Sequence, residues 1–130
     1  MQGNYSVTVE EYAERHFIKG FQKKYKDAWT VTLRAVVAEL ERMDMLLETD
    51  RAEIIVDAGD IKIIKTKFRV AGTKESAKTS GNRCIVKIEE KSKSVSVLLM
   101  YTKTDLPATN ETAAWMKMVK DNYLDCKHLF

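Results

Sequence analysis

Residues 61–103 set out eleven lysines and arginines against three glutamates, in a 130-residue chain whose net charge is only +3. Three of these cations, Lys65, Lys67 and Arg69, alternate with Ile64, Phe68 and Val70. Successive side chains of a strand point to opposite faces, so the spacing predicts one face that joins a core and another that presents a row of cations. Arg83 and Lys103 follow in the same region, and Lys74 and Lys78 lie in the loop between. An electrostatic footprint is a local patch rather than a whole-chain sum. Cations at this spacing suit the binding of a phosphate, and a fork-shaped, permanently charged arginine such as Arg83 suits a phosphate whose charge grows in a transition state. The purely structural alternative is a solvated sheet face that guards against edge pairing.

The elements that must position these residues can be read in order. Residues 6–9 alternate polar and apolar and predict a first strand. A helix begins near Glu10 to Tyr12, with Phe17, Phe21 and Tyr25 every four residues and Ala13 one turn earlier, an aromatic stripe along one side. Asp27 is placed to cap a second, longer helix, in which Trp29, Leu33, Val36, Val37, Leu40, Met43 and Leu47 keep helical spacing. Its outer face, with Glu39, Glu41, Asp44 and Glu48, is acidic and predicted to be solvated. Ile54 to Val56 fit either a short strand or a connection. Residues 71–82, rich in Gly, Ser, Thr and Lys, read as a long hairpin loop; residues 72–81 lack the spacing of a phosphate-binding loop and read first as a mobile hairpin tip, with the holding of a phosphate or an RNA backbone by their hydroxyls, amides and lysines as the alternative. Residues 83–88 alternate, residues 89–93 form a charged turn, and residues 95–103, apolar on both faces, predict an interior strand that the lone Pro107 ends. A third helix spans residues 110–123 around Trp115, Met118 and Val119. The order predicts α+β: a small antiparallel or mixed four-stranded sheet, two N-terminal helices on one face and a C-terminal helix, in a single domain over residues 1–130.

Length and composition bound the rest. With 45% apolar and 32% charged residues the chain has the make-up of an ordinary globular domain, large enough for a core without staples. No apolar run is long enough for a transmembrane helix, and the opening residues lack the pattern of a secretion signal, so the expected location is cytoplasmic. Cys84 and Cys126 lack paired metal-site spacing and are expected as reduced thiols. No metal or cofactor is expected, and His16 has no partner at ligand spacing.

The two-helix opening, then KTKFRVAG, then a loop ending in SGNRCIVKI, then VLLMYTKTD, resembles the RelE/ParE superfamily of bacterial toxins from type II toxin–antitoxin modules, over roughly residues 7–123. The resemblance implies a toxin neutralised by a cognate antitoxin protein. A RelE-type member cleaves messenger RNA on the ribosome without metal, by attack of the ribose 2′-OH on the adjacent phosphate; a ParE-type member poisons DNA gyrase. By position, Lys65 and Lys67 match the family's strand lysines and Arg83 the arginine that opens the next strand, which implies catalytic roles for all three. Mutual repulsion of neighbouring cations favours Lys65 or Lys67 as base. Some RelE-type enzymes place an arginine after the last strand and then a tyrosine; here the stretch reads Tyr101-Thr102-Lys103-Thr104-Asp105. Lys103 stands where an arginine would, Tyr101 and Tyr123 compete for the tyrosine's role, and His128 is a further candidate acid. Arg69, Lys74, Lys78 and Lys103 are the expected RNA-binding residues. The incomplete set leaves as alternative a non-enzymatic gyrase inhibitor of ParE type, or an inactive RelE-fold binding module.

Overall fold

The computed structural model describes residues 4–106 and 109–130. Its centre is a mixed five-stranded sheet in the order β1-β5-β4-β3-β2: β1 (Ser6–Val9), β2 (Ala52–Ala58), β3 (Ile61–Lys67), β4 (Arg83–Glu89) and β5 (Ser94–Tyr101). The β1 strand runs parallel to β5; all other neighbours are antiparallel. The four strands expected from sequence are thus five. The addition is β2, where Ile54 to Val56 belong to a seven-residue strand that closes onto β3 through the turn at Asp57 to Asp60.

Helices cover both faces of this sheet. On one side α1 (Glu11–Ala13) continues through a π-helical turn (Glu14–Ile18) into α2 (Lys19–Tyr25), followed by α3 (Asp27–Glu41) and α4 (Met43–Leu46). On the other lie α5 (Glu111–Asn122) and a 3-10 turn (Leu124–Leu129). The two long N-terminal helices predicted are therefore four α-helical segments. The π turn supplies the physical reason for the first break: Ala13 and Ile18, five residues apart, both reach the core with Phe21, whereas Phe17 swings toward the opposite layer. The predicted stripe of Phe17, Phe21 and Tyr25 is accordingly split. The second break falls at Arg42, whose backbone (φ −106°, ψ 50°) leaves the helical region. Asp27 is the first residue of α3 rather than its cap; Lys26 precedes it at φ 53°, and no side chain caps that end. Asp27 still favours the positive end of the helix dipole.

Two separate cores result. Phe21 stacks on Trp29 at 4.5 Å, and both meet Phe68 edge-on, with Ile64, Cys84, Val86 and Met100 supplying the sheet side. Across the sheet Ile63, Ile85, Leu99 and Tyr101 pack against Trp115, Val119 and Cys126. Strand alternation alone misses how full this second layer is. Register shifts in β2 and β5 each insert an extra residue, so the consecutive pairs Ile55–Val56 and Leu98–Leu99 both join it. The Tyr123 hydroxyl donates to the Leu98 carbonyl at 2.7 Å and pins the end of α5 to the β5 irregularity. The acidic outer face of α3 and α4 is only partly solvated, since Glu39 pairs with Arg51 at 2.8 Å and Asp44 receives the Tyr5 hydroxyl at 3.3 Å. Pro107 lies outside the described residues; β5 already ends at Tyr101.

Candidate functional site

The ends of β3 and β5 and the start of β4 meet at one end of the sheet. There the ladders place Lys67 opposite Arg83 and Arg83 opposite Tyr101, so three residues far apart in sequence form one cross-strand row. Directly opposite side chains on neighbouring strands lie about 4.5–5.5 Å apart at Cβ. Beyond the row, Lys103 lies across Gly81: a Cβ built on Gly81 would sit 2.7 Å from the Lys103 Cδ. Only glycine, here at φ +76°, lets the lysine stem pass so close.

Two rows further in, Lys65 faces α5. The first turn of that helix carries Glu111, whose Oε2 accepts the Tyr101 hydroxyl at 2.6 Å and lies 3.1 Å from the Lys65 Nζ. Burial, reinforced by this bond to a carboxylate, pushes the Tyr101 phenol far above its ordinary range, with Arg83 acting in the opposite direction. Burial alone would raise Glu111, but the hydrogen bonds from Tyr101 and Lys65 and the charges of Lys65 and Arg83 hold it below the usual value. The cationic face predicted as open is therefore closed at Lys65, which α5 covers.

Arg83 is committed to the loop before it. Its guanidinium donates to the carbonyls of Asn82 at 2.9 Å, Lys78 at 3.2 Å and Ala77 at 3.4 Å. The same loop is tied to α3 by the buried Thr32, whose Oγ1 accepts from the Ala71 amide at 2.8 Å, and to the end of β3 by Ser80, whose Oγ donates to the Phe68 carbonyl at 2.8 Å. Lys74 and Lys78 are thus presented on a loop held at its start, its end and its middle.

Charge is sorted along the strands. At the far end, Lys62 pairs with Glu90 at 2.6 Å, Lys87 with Asp125 at 2.9 Å and Lys93 with Asp44 at 3.9 Å. At the near end Lys67, Arg69, Lys74, Lys78 and Lys103 have no acidic partner among the described residues. Burial of a cation without a partner is costly, and these five are half-buried or exposed. A cavity of about 370 Å³ between α3, β3 and the loop is lined by Lys67, Arg69 and Arg51 together with Glu39.

Of the site residues proposed from sequence, Lys67, Arg83 and Tyr101 are brought into one row, Lys65 lies two rows behind it, and Lys103 lies beside it. Tyr123 is spent on the Leu98 carbonyl. His128 sits on the exposed 3-10 turn that Asp125 ties to Lys87, four residues along β4 from Arg83, and is not brought to the row. Glu111 was not foreseen. Its only signal in sequence is an acid in the first turn of a helix, which the helix dipole explains equally well. No cluster of His, Cys, Asp and Glu among the described residues is arranged to hold a metal, and no helix among them is long and apolar enough to cross a membrane. Comparison with protein-family models, with curated proteins and with solved structures finds no match.

Proposed function

We propose that this chain is a toxin of RelE/ParE type that cleaves messenger RNA on the ribosome without metal or cofactor, acts in the cytoplasm and is neutralised by a cognate antitoxin. One observation carries the reading: Lys67, Arg69, Lys74, Lys78 and Lys103, unpaired with acids among the described residues, gather at the same end of the sheet as the Lys67–Arg83–Tyr101 row, while Lys62, Lys87 and Lys93 toward the other end are paired. A polyanion would meet uncompensated positive charge beside that row. In the proposed reaction the neutral amine form of Lys67 takes the proton of the ribose 2′-OH, which attacks the adjacent phosphorus. The bond to the 5′ oxygen breaks, that oxygen takes up a proton, and a 2′,3′-cyclic phosphate remains. Arg83 and Lys103 offset the charge that grows on the phosphate. For Tyr101 to protonate the leaving oxygen, its hydroxyl has to leave Glu111. An acidic antitoxin segment laid over the same basic end would block it.

The internal commitments of Tyr101 and Arg83 favour a second reading, in which the same surface binds without cleaving, as in a gyrase inhibitor of ParE type or an inactive RelE-fold module. Mapping of messenger RNA 3′ ends soon after induced expression separates the two. New ends at a fixed position within codons, lost with Lys67→Ala, support the nuclease. Growth arrest with intact messages and inhibited supercoiling supports the binder.

A further inference from the structure

Beside the basic end, α2 and the turn after β5 enclose a cavity of about 240 Å³ lined by Phe17, Gly20, Lys24, Tyr25, Thr102 and Asp105 among others. We propose that it binds a nucleobase, with Asp105 selecting bases that carry an exocyclic amino group; the inference deepens the nuclease reading by assigning base preference to residues outside the cationic row.

Four observations converge on a flat, polar-edged ring as the ligand. The volume lies below the ~300–1,000 Å³ of drug-sized pockets, which suits one ring system. Its aromatic wall is half-open: Phe17 and Tyr25 are only partly buried, and Tyr25 lies near parallel to Phe21 at 22° and 6.3 Å. A base stacked on such rings gains roughly 1–3 kcal/mol whatever its identity. Gly20 keeps the space clear. It lies inside α2, where glycine costs roughly 0.5–1 kcal/mol relative to alanine, yet a Cβ there would meet nothing within 4 Å. Packing and backbone conformation do not demand glycine at this position, and a larger side chain there has open space to project into the cavity.

The polar edge is fixed by a turn. The Thr102 amide donates to Asp105 Oδ2 at 3.0 Å and the Asp105 amide to the Thr102 carbonyl at 2.8 Å, leaving Oδ1 without a partner among the described residues. A carboxylate oxygen accepts from the amino groups of cytosine, adenine or guanine, but meets the two carbonyls that flank the single N–H of uracil. Lys24, 5.2 Å from the centre of the Tyr25 ring, supplies a cation for the phosphate of the same nucleotide. Thr102 directly follows Tyr101, so a base held here continues a strand whose scissile phosphate lies on the row.

Titration of the intact protein with AMP, CMP, GMP and UMP, followed through the amide resonances of Gly20, Thr102 and Thr104, tests the assignment. The amino-bearing nucleotides are expected to shift these resonances and UMP to bind roughly tenfold more weakly, the worth of one hydrogen bond to a charged group. Gly20→Leu, which fills the cavity, is expected to abolish binding. Asp105→Asn, which keeps an oxygen for the Thr102 amide, is expected to erase the discrimination against UMP. Absence of shifts with every nucleotide, equal shifts with inorganic phosphate alone, or undiminished binding by Gly20→Leu overturns the proposal. Selective binding by a protein that leaves cellular messages intact supports the cavity's role and sinks only the nuclease.

Discussion

Glu111 accepts the hydroxyl of Tyr101 at 2.6 Å on the same oxygen that lies 3.1 Å from Lys65. This one carboxylate fastens the first turn of α5 to two strands at the edge of the basic patch. Removing it in Glu111→Ala leaves the buried Tyr101 hydroxyl without its acceptor, at a cost of about 1–3 kcal/mol. The loss depends on pH. A carboxyl held below its ordinary value of 4.5 adds stability that is fully present above that value and disappears as pH falls through the lower folded-state value. Urea unfolding at pH 7 is therefore expected to separate wild type from Glu111→Ala, and at pH 3 the gap should narrow. A gap that stays constant over that range would show that the carboxylate's charge contributes nothing.

Lys67→Ala and Arg83→Ala are expected to part company. Lys67 has no acidic partner among the described residues, so its removal should change stability by no more than about 0.5 kcal/mol while abolishing toxicity. Arg83 holds three loop carbonyls, and charged hydrogen bonds contribute about 1.5–3 kcal/mol each at most. Its alanine variant should lose both stability and toxicity. Thermal unfolding beside growth curves checks this, and a fully toxic Lys67→Ala would remove that residue from the mechanism.

Gly81→Ala meets two obstacles, the positive φ and the Lys103 stem. Alanine forced into such a position costs more than the ~0.4–1 kcal/mol that a compatible Gly→Ala change gains. Adding Lys103→Ala removes the Cγ and Cδ clashes but leaves Cβ, which a Gly81 Cβ would meet at 2.9 Å. Chemical denaturation of the single and double variants should show partial rescue; complete rescue would mean that the backbone conformation costs nothing.

Both thiols are shielded. Burial pushes Cys84 up to about 12 and Cys126 up to about 11, and the thiolate is the reactive form. A colorimetric thiol reagent at pH 8 is expected to label neither cysteine in the folded protein and both in denaturant. Rapid native labelling of Cys126 would show that the 3-10 turn opens readily.

Much of this arrangement was legible in the sequence, and the exceptions have physical causes. The alternation of Lys65, Lys67 and Arg69 with Ile64 and Phe68 located β3, and the apolar run after Ser94 placed β5 inside the sheet. Alternation could not show that α5 would cover Lys65, because which face a distant helix occupies is settled by tertiary packing. Ile55 and Leu98 escaped because an inserted residue breaks the period of two on which strand reading depends. The π turn at Glu14–Ile18 likewise breaks the period of 3.6, so Phe17 and Phe21 were assigned one face and occupy two. Arg83 was found by its type, but its bonds to the loop carbonyls depend on a fold of residues 71–82 that no local pattern specifies.

The parallel pairing of β1 with β5 sets the order in which the molecule can assemble. Ser6 pairs with Ser94, and closing so long a loop carries an entropic cost that favours the neighbouring hairpins first. The three antiparallel strands β2, β3 and β4 can therefore meet during synthesis, whereas β1 has no sheet neighbour until β5 has been made. Tyr101, at the end of that strand, arrives later than Lys67 and Arg83. The Lys67–Arg83–Tyr101 row is thus completed only by the last of the five strands to be made.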